Sequence, residues 1–137
     1  MANIKLIFAA AALLLTQNAS AAVNPHSVTD IFKEISAHLK SGDAGRLTAH
    51  FAATVELRIL SAGKTHPAKQ AAAAVEAFFA QHKPVNFAML HIGSKASKHY
   101  GIGLLTTGNG RFRVTVFLST GDRDAYTIQQ LCIDHED

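Results

Sequence analysis

The sequence predicts an α+β fold, in which helices occupy the first half of the chain and a curved, mainly antiparallel sheet follows. Apolar residues recur at steps of three and four after Ser27, alternate with polar residues after Pro84, and lose that alternation by one position at Gln129-Gln130. The first spacing is typical of a helix with one buried face, and the second is typical of strands. The lost position indicates a β-bulge, which bends a sheet.

The first two helices are predicted by an apolar stripe and by the residues at their ends. Ser27 is a suitable N-cap for the first helix, and Gly42 is a suitable residue to end it. Asp43 is then an N-cap for a second, short helix, which we expect to carry Leu47 and Phe51 inward. The stripe of the first helix consists of Val28, Ile31, Phe32, Ile35 and Leu39.

A strand and a third helix come next in the chain. The alternation of Val55, Leu57 and Ile59 with charged residues predicts a half-buried strand. Pro67 is favoured in the first turn of a helix, and an alanine-rich segment continues from there to about His82. Its buried stripe is predicted to consist of Ala71, Val75, Phe78 and Phe79. All later segments are predicted to be strands.

The hairpin at Gly108-Asn109-Gly110 decides which side chains share a face of the sheet. A two-residue Asn109-Gly110 turn would mix apolar and polar positions on each face, so we expect a three-residue loop with a left-handed glycine. That register places on one apolar face Tyr100, Ile102, Leu104, Val114, Val116 and Leu118. It places on the opposite face His99, Gly101, Gly103, Leu105, Thr107, Arg113, Thr115, Phe117 and Ser119.

The first residues have the pattern of a secretory signal peptide. Lys5 gives a positively charged start, and the apolar run from Leu6 to Leu15 is about half the roughly 20 residues that a membrane span needs. Small residues at Ala19-Ser20-Ala21 suit cleavage by a signal peptidase. We therefore expect cleavage after Ala21 or Ala22. With residues 1–21 as the signal peptide, we expect residues 22–137 to form one exported, periplasmic or secreted domain that is not embedded in a membrane.

The composition argues against several kinds of site. The 13 Lys and Arg residues barely exceed the 10 Asp and Glu residues and are scattered, so no nucleic-acid surface is predicted. Cys132 is the single cysteine, which excludes a disulfide within the chain, and a buried, inert thiol is favoured over an accessible one. The 8 histidines lack close ligand spacing, so we expect no metal site and no cofactor.

Several segments resemble known proteins. Those from Leu39 to Leu47 and from Phe51 to Leu57 resemble the opening helix pair and first strand of the nuclear transport factor 2-like superfamily. Those from Tyr100 to Val114 and from Ile128 to Asp137 resemble an uncharacterised family of short exported bacterial proteins within it. The resemblance implies a cone of curved sheet against helices, often with a pocket and often dimeric through the outer sheet face. The superfamily contains ketosteroid isomerase, scytalone dehydratase and proteins that only bind, so fold alone does not decide function.

Ketosteroid-isomerase-like chemistry would require a carboxylate beside a tyrosine. Tyr100 and Tyr126 are the two phenols, and both are expected on the apolar face. His91 and His99, at the ends of neighbouring strand segments, are candidate bases or ligands. No carboxylate is expected on that face, so these four residues form an incomplete catalytic set.

The face opposite the apolar one is a candidate ligand or partner surface. Arg113, Thr115, Phe117 and Leu105 give it more bulk than an exposed sheet needs, which indicates cover by a loop, by a partner or by a second copy in a homodimer. We therefore expect a non-catalytic exported module that binds a small ligand or a protein partner. The alternatives are a small-molecule isomerase, dehydratase or hydrolase with a tyrosine in a deep pocket, and a structural dimeric envelope component.

Overall fold

Three helices pack on one face of a six-stranded sheet in the computed structural model, which describes residues 27–120 and 125–136. The helices are α1 (Val28–Ser41), α2 (Ala44–Thr48) and α3 (Ala68–Gln81). The strands are β1 (Phe51–Ile59), β2 (Lys64–Pro67), β3 (Pro84–Lys95), β4 (Lys98–Thr107), β5 (Gly110–Ser119) and β6 (Thr127–His135). Their order is β2-β1-β6-β5-β4-β3, with β1 and β6 parallel and the other neighbours antiparallel. The predicted α+β class, with three helices on a mainly antiparallel sheet, is confirmed.

The predicted helix caps are confirmed. The Ser27 hydroxyl accepts a hydrogen bond from the Asp30 N–H at 3.1 Å, and Gly42 ends α1 with a left-handed φ of 71°. The Asp43 carboxylate accepts one from the Arg46 N–H at 3.0 Å at the start of α2. The four residues of the α1 stripe that are fully buried are Ile31, Phe32, Ile35 and Leu39. Local sequence therefore determines both ends of the first helix.

The chain becomes extended earlier than predicted after α2. The helix ends at Thr48, and the His50 carbonyl already accepts a hydrogen bond from the Ile128 N–H of β6 at 2.7 Å. Phe51 therefore begins β1 and is not part of α2, although its side chain is buried as expected. The short edge strand Lys64–Pro67 was not predicted, because its side chains are mostly exposed and show no apolar alternation.

The predicted bulge lies in β6. Phe117 of β5 pairs with Gln130, whereas the next residue, Leu118, pairs with Ile128, so Gln129 is the extra residue. This irregularity is at the position where the apolar alternation of the sequence is lost. A bulge bends its strand and increases the local twist, which is consistent with a curved sheet.

The hairpin between β4 and β5 has a two-residue loop, and the predicted three-residue loop is wrong. Thr107 pairs with Gly110, so only Gly108 and Asn109 lie in the loop. The Thr107 hydroxyl, which is buried, donates to the Gly110 carbonyl at 2.8 Å and accepts from the Asn109 N–H at 3.3 Å. These two hydrogen bonds hold the shorter loop, and a shift of one residue moves the side chains of one strand to the other face of the sheet.

The observed register changes which residues share a face. The inner face, against the helices, contains Gly101, Gly103, Leu105, Phe112, Val114 and Val116. The outer face contains Tyr100, Ile102, Leu104, Arg113, Thr115 and Phe117. Tyr100 and Leu105 therefore lie on faces opposite to those predicted. Within the described ranges, no helix is long and apolar enough to cross a membrane.

Candidate functional site

The space between the helices and the inner face of the sheet is filled by aromatic side chains over glycines. A Cβ atom built on Gly103 would lie 2.2 Å from Phe87 Cζ, and one built on Gly101 would lie 2.9 Å from Phe32 Cε1. Phe32 and Phe87 are only 1% and 7% exposed. Because these two glycines have no side chains, the rings of Phe32 and Phe87 pack directly against the sheet. The rings fill the interior at this position, so no deep ligand pocket lies there.

A shallow groove of about 360 Å³ runs between α1 and β3 and is open to solvent. It is lined by Thr29, Phe32, Lys33, Ser36, Met89 and Ile92. Its walls are mostly apolar, and Ile92 is 43% exposed. Neither a tyrosine, a histidine nor a carboxylate is among these lining residues. Lys33 is the one titratable side chain among these lining residues, and no second proton-transfer group accompanies it.

The four candidate catalytic residues form two separate aromatic pairs. The rings of His91 and Tyr100 are 5.7 Å apart on the outer face, and those of His99 and Tyr126 are 5.3 Å apart and perpendicular. In the described part of the chain, neither tyrosine hydroxyl is hydrogen-bonded to a carboxylate. Glu56 lies in the same cross-strand row as Tyr100, but three strands away, which is about 14 Å. Among the described residues, each tyrosine thus contacts a histidine, and neither hydroxyl has a carboxylate partner.

The outer face carries a band of half-buried side chains that we call the outer apolar strip. Its members, from β4 and β5, are Tyr100, Ile102, Leu104, Thr115 and Phe117. The Tyr100 and Phe117 rings are neighbours, with centroids 6.0 Å apart. Large apolar side chains that remain partly accessible in the single chain are typical of the central part of a protein interface. Thr115 and Phe117 were predicted members, whereas Leu105, also predicted, is 0% exposed in the core.

Ion pairs border the outer apolar strip on the side of β6. Arg113 Nε lies 3.2 Å from Glu136 Oε1, and Arg58 Nη2 lies 3.1 Å from Asp134 Oδ2. Arg113, predicted as part of the surface, thus belongs to its charged border. Both arginines are about half exposed, at 53% and 46%, so these pairs contribute little to the stability of the single chain. An apolar centre with a charged border is the usual anatomy of a protein interface.

The Cys132 thiol is buried on the same sheet face. It is 4% exposed, and the Gln130 side-chain amide donates to Sγ at 3.5 Å. Desolvation by burial raises the pKa of the Cys132 thiol, and the nearby Arg58 charge only partly opposes this. The thiol is therefore protonated and inaccessible, which confirms the prediction of a buried cysteine.

The fold also brings together three potential metal ligands that the sequence spacing did not suggest. Glu34, His38 and His50 each place one donor atom within 4.8 Å of the other two. Glu34 and His38 are four residues apart on α1 and so share a helix face, which is a signal that sequence alone contains. The third member comes from the segment before β1, and only the packing of that segment against α1 reveals it.

Several solved structures of bacterial proteins have a similar fold. A DUF4783 family protein from Bacteroides ovatus ATCC 8483 has a TM-score of 0.72 at 29% identity, covering 76% of this chain and 94% of that chain. One from Bacteroides uniformis ATCC 8492 has a TM-score of 0.72 at 30% identity, covering 77% and 96%. An NTF2-like protein of unknown function from Cytophaga hutchinsonii ATCC 33406, at 7% identity, covers 84% and 95% with a TM-score of 0.60 and supports the fold alone.

The family assignment comes from a match over most of the described residues. Residues 32–134 match the family described as "Domain of unknown function (DUF4783)". No curated protein matches the chain. The matched segment runs from the Phe32 turn of α1 almost to the end of β6, so it includes the helices, the sheet and the outer apolar strip. The chain therefore belongs to the DUF4783 family, with an NTF2-like α+β fold.

Proposed function

We propose that the protein is a non-catalytic exported module that binds a protein through the outer apolar strip, and that the bound protein is a second copy of this chain. The observation that carries the proposal is the location of accessible apolar surface. The interior between helices and sheet is filled by Phe32 and Phe87, whereas Tyr100, Ile102 and Phe117 remain only half-buried on the outside. Burial of that strip against a partner would remove apolar area from water.

The enzyme alternative has less support from the described residues. General acid–base catalysis needs a proton-transfer group within hydrogen-bond reach of the reacting atom, in a site that excludes water. The Tyr100–His91 pair lies on the open outer face, and no carboxylate lies beside it in the part of the chain that the structure describes. The Tyr126–His99 pair is an edge contact that packs against the core. Packing accounts for both pairs without catalysis.

A second copy fits the charges around the strip. The border contains two arginines, Arg58 and Arg113, and two carboxylates, Asp134 and Glu136. In a contact with two-fold symmetry the same patch faces itself, so a border with both signs can place each charge near an opposite charge of the other copy. A partner of one charge sign would meet repulsion from half of this border. A stable contact of this kind buries at least about 1,000 Å² in total.

The oligomeric state of the protein purified without a tag tests this proposal. Light scattering after gel filtration, over a range of concentrations, should give the mass of two chains for the natural sequence. Leu104→Glu places a charge in the centre of the contact and should weaken dimerisation at least about 100-fold, because an unpaired buried charge costs several kcal/mol. Ile92→Glu is the matched control: Ile92 is 43% exposed, pairs with Gly101 on the inner face and lines the groove beside α1, so this variant should remain a dimer.

Two results would contradict the proposed contact. One is a single-chain mass for the natural sequence at about 100 μM, a concentration far above the dissociation constants of standard-size interfaces. The other is an equal effect of the two glutamate substitutions.

Export is tested separately by sequencing the N-terminus of the protein recovered from producing cells. Removal of residues 1–21, which lie outside the described residues, is the expected result, and an intact start in the cytosol would refute it.

A further inference from the structure

A cluster of two imidazoles and one carboxylate lies on the helical side of the sheet, away from the outer apolar strip. His50 Nε2 is 3.6 Å from Glu34 Oε1, and the His38 and His50 rings are 5.6 Å apart and tilted by 30°. One donor atom from each of the three side chains lies within 4.8 Å of the others. All three residues are half-buried, so the donors are held near the protein and remain reachable from solvent.

Two elements that are fixed by other contacts hold these side chains in place. Glu34 and His38 are on α1, whose other face is anchored in the core by Ile35 and Leu39. His50 precedes β1, and its carbonyl is bound by β6. Ligands on such independently fixed elements lose little conformational freedom when they bind a metal.

We propose that Glu34, His38 and His50 bind a divalent transition-metal ion, for which Zn²⁺ is the best probe. Two histidine nitrogens and one glutamate oxygen are a known donor set for zinc, and they leave at least one coordination position for water. Mg²⁺ and Ca²⁺ prefer sites made of oxygen atoms and should not compete. No ion is needed to bring the three donors together, because the fold already does so.

The observed distances are close to those of an occupied site. Metal–ligand bonds of about 2.0–2.1 Å in tetrahedral geometry place neighbouring donors about 3.3 Å apart. The Glu34–His50 distance of 3.6 Å is already near this value, and all three donor atoms lie within 4.8 Å of one another, a spread that side-chain rotation can close. An ordinary Glu34–His50 ion pair would explain two members of the cluster. It would not explain why His38 supplies a third donor within reach of both.

Calorimetric titration of the untagged protein with Zn²⁺ tests the assignment. One ion should bind per chain, and an excess of Mg²⁺ should leave its affinity unchanged. His38→Gln, His50→Gln and Glu34→Gln should each weaken binding at least about 10-fold, since even residues that only support a ligand contribute 10- to 100-fold. His66→Gln is the matched control, because His66 is half-buried in β2 and outside the cluster. This control should bind as the natural protein does.

Cobalt absorption provides a second readout that does not depend on affinity. Bound Co²⁺ should give the visible spectrum of a low-symmetry nitrogen and oxygen site, and His38→Gln should remove that spectrum. His38 and Glu34 lie on the accessible side of α1, so their variants should fold even if His50→Gln does not. Circular dichroism checks this.

Three results would each overturn the proposal: absence of one-to-one Zn²⁺ binding, unchanged affinity in His38→Gln, or equal weakening in His66→Gln. Because Leu104→Glu is remote from the cluster, zinc binding by that variant separates this proposal from dimerisation.

Discussion

Leu104 and Leu105 are adjacent residues of β4 that provide a matched test of the observed register. Leu105 pairs with Phe112 on the inner face and is 0% exposed, whereas Leu104 pairs with Arg113 on the outer face and is half-buried. The predicted three-residue loop would exchange these roles. Replacement of each leucine by alanine changes strand propensity and side-chain volume equally, so the difference between the two variants reports their surroundings.

The expected losses of stability differ by about 2 kcal/mol. Fully buried leucines lose about 2–5 kcal/mol on replacement by alanine, from lost transfer energy and from the cavity that remains. Leu105, at 0% exposure, should lose about 3 kcal/mol, which lowers the melting temperature by about 12 °C in a domain near 100 residues. Leu104 keeps much of its contact with water in the single chain, so Leu104→Ala should lose about 1 kcal/mol.

Urea unfolding followed by circular dichroism measures both losses. With slopes of about 1–3 kcal/mol per molar urea, the midpoints of the two variants should differ by roughly 1 M. Each measurement is repeated at a tenfold higher protein concentration. If a dimer covers Leu104, the loss of stability in Leu104→Ala should change with concentration, whereas the loss in Leu105→Ala should not. Equal losses at low concentration, or a larger loss for Leu104→Ala, would refute the two-residue loop and the composition of both sheet faces.

Three other positions give independent predictions. Gly103→Ala should lower the free energy of unfolding by about 1–3 kcal/mol, because the new methyl group would lie 2.2 Å from Phe87 Cζ, and adding Phe87→Leu should recover part of that loss in a thermal melt. Asn109→Ala removes the side-chain amide that donates to the Gln81 carbonyl at 3.1 Å, so urea unfolding should report a loss of about 1–2 kcal/mol; no loss would mean that this loop is not anchored to α3. Burial raises the pKa of the Cys132 thiol, so fewer thiolates are present at pH 8 than in the unfolded chain. Reaction with a thiol reagent should then be at least about 10-fold slower than in urea and should accelerate as the pH is raised, and equal rates would contradict this burial.

Features that depend on neighbouring residues were predictable from the sequence. Ser27, Gly42 and Asp43 act through hydrogen bonds or backbone angles within one helical turn, so their capping roles follow from their positions. The bulge at Gln129 was also visible, because an extra residue in a strand must move the apolar alternation by one place. These elements carry their physical cause in a short segment of the chain.

The register of the β4–β5 hairpin was not predictable in the same way. Apolar patterning favoured the three-residue loop, because it grouped Tyr100, Ile102 and Leu104 with the core valines. The structure instead satisfies the buried Thr107 hydroxyl through Gly110 and Asn109, and a buried unsatisfied hydroxyl would cost about 1–3 kcal/mol. A small group of polar contacts at one turn thus changed the face of three large apolar side chains.

The histidine cluster was missed for a different physical reason. Glu34 and His38 are close in sequence, but 12 positions separate His38 from His50, and helix α2 lies between them. Their distance depends on how α1, α2 and the start of β1 pack, which no local pattern specifies. A cluster of three potential ligands of this kind becomes visible only when the tertiary structure is known.

The same shift of one residue changes which side chains face the interior and which face outward. With the predicted loop, Tyr100 would have pointed into the cone, where a phenol can stabilise a developing oxyanion away from water. With the observed loop, Gly101 and Gly103 face inward instead, and the space above them is taken by Phe32 and Phe87. The bulky side chains that the interior cannot accept are left on the outer face beside exposed arginines and carboxylates. The register therefore fills the interior above Gly101 and Gly103 with aromatic rings and, by the same step, leaves Tyr100 and Ile102 on the surface where we propose that a second copy binds.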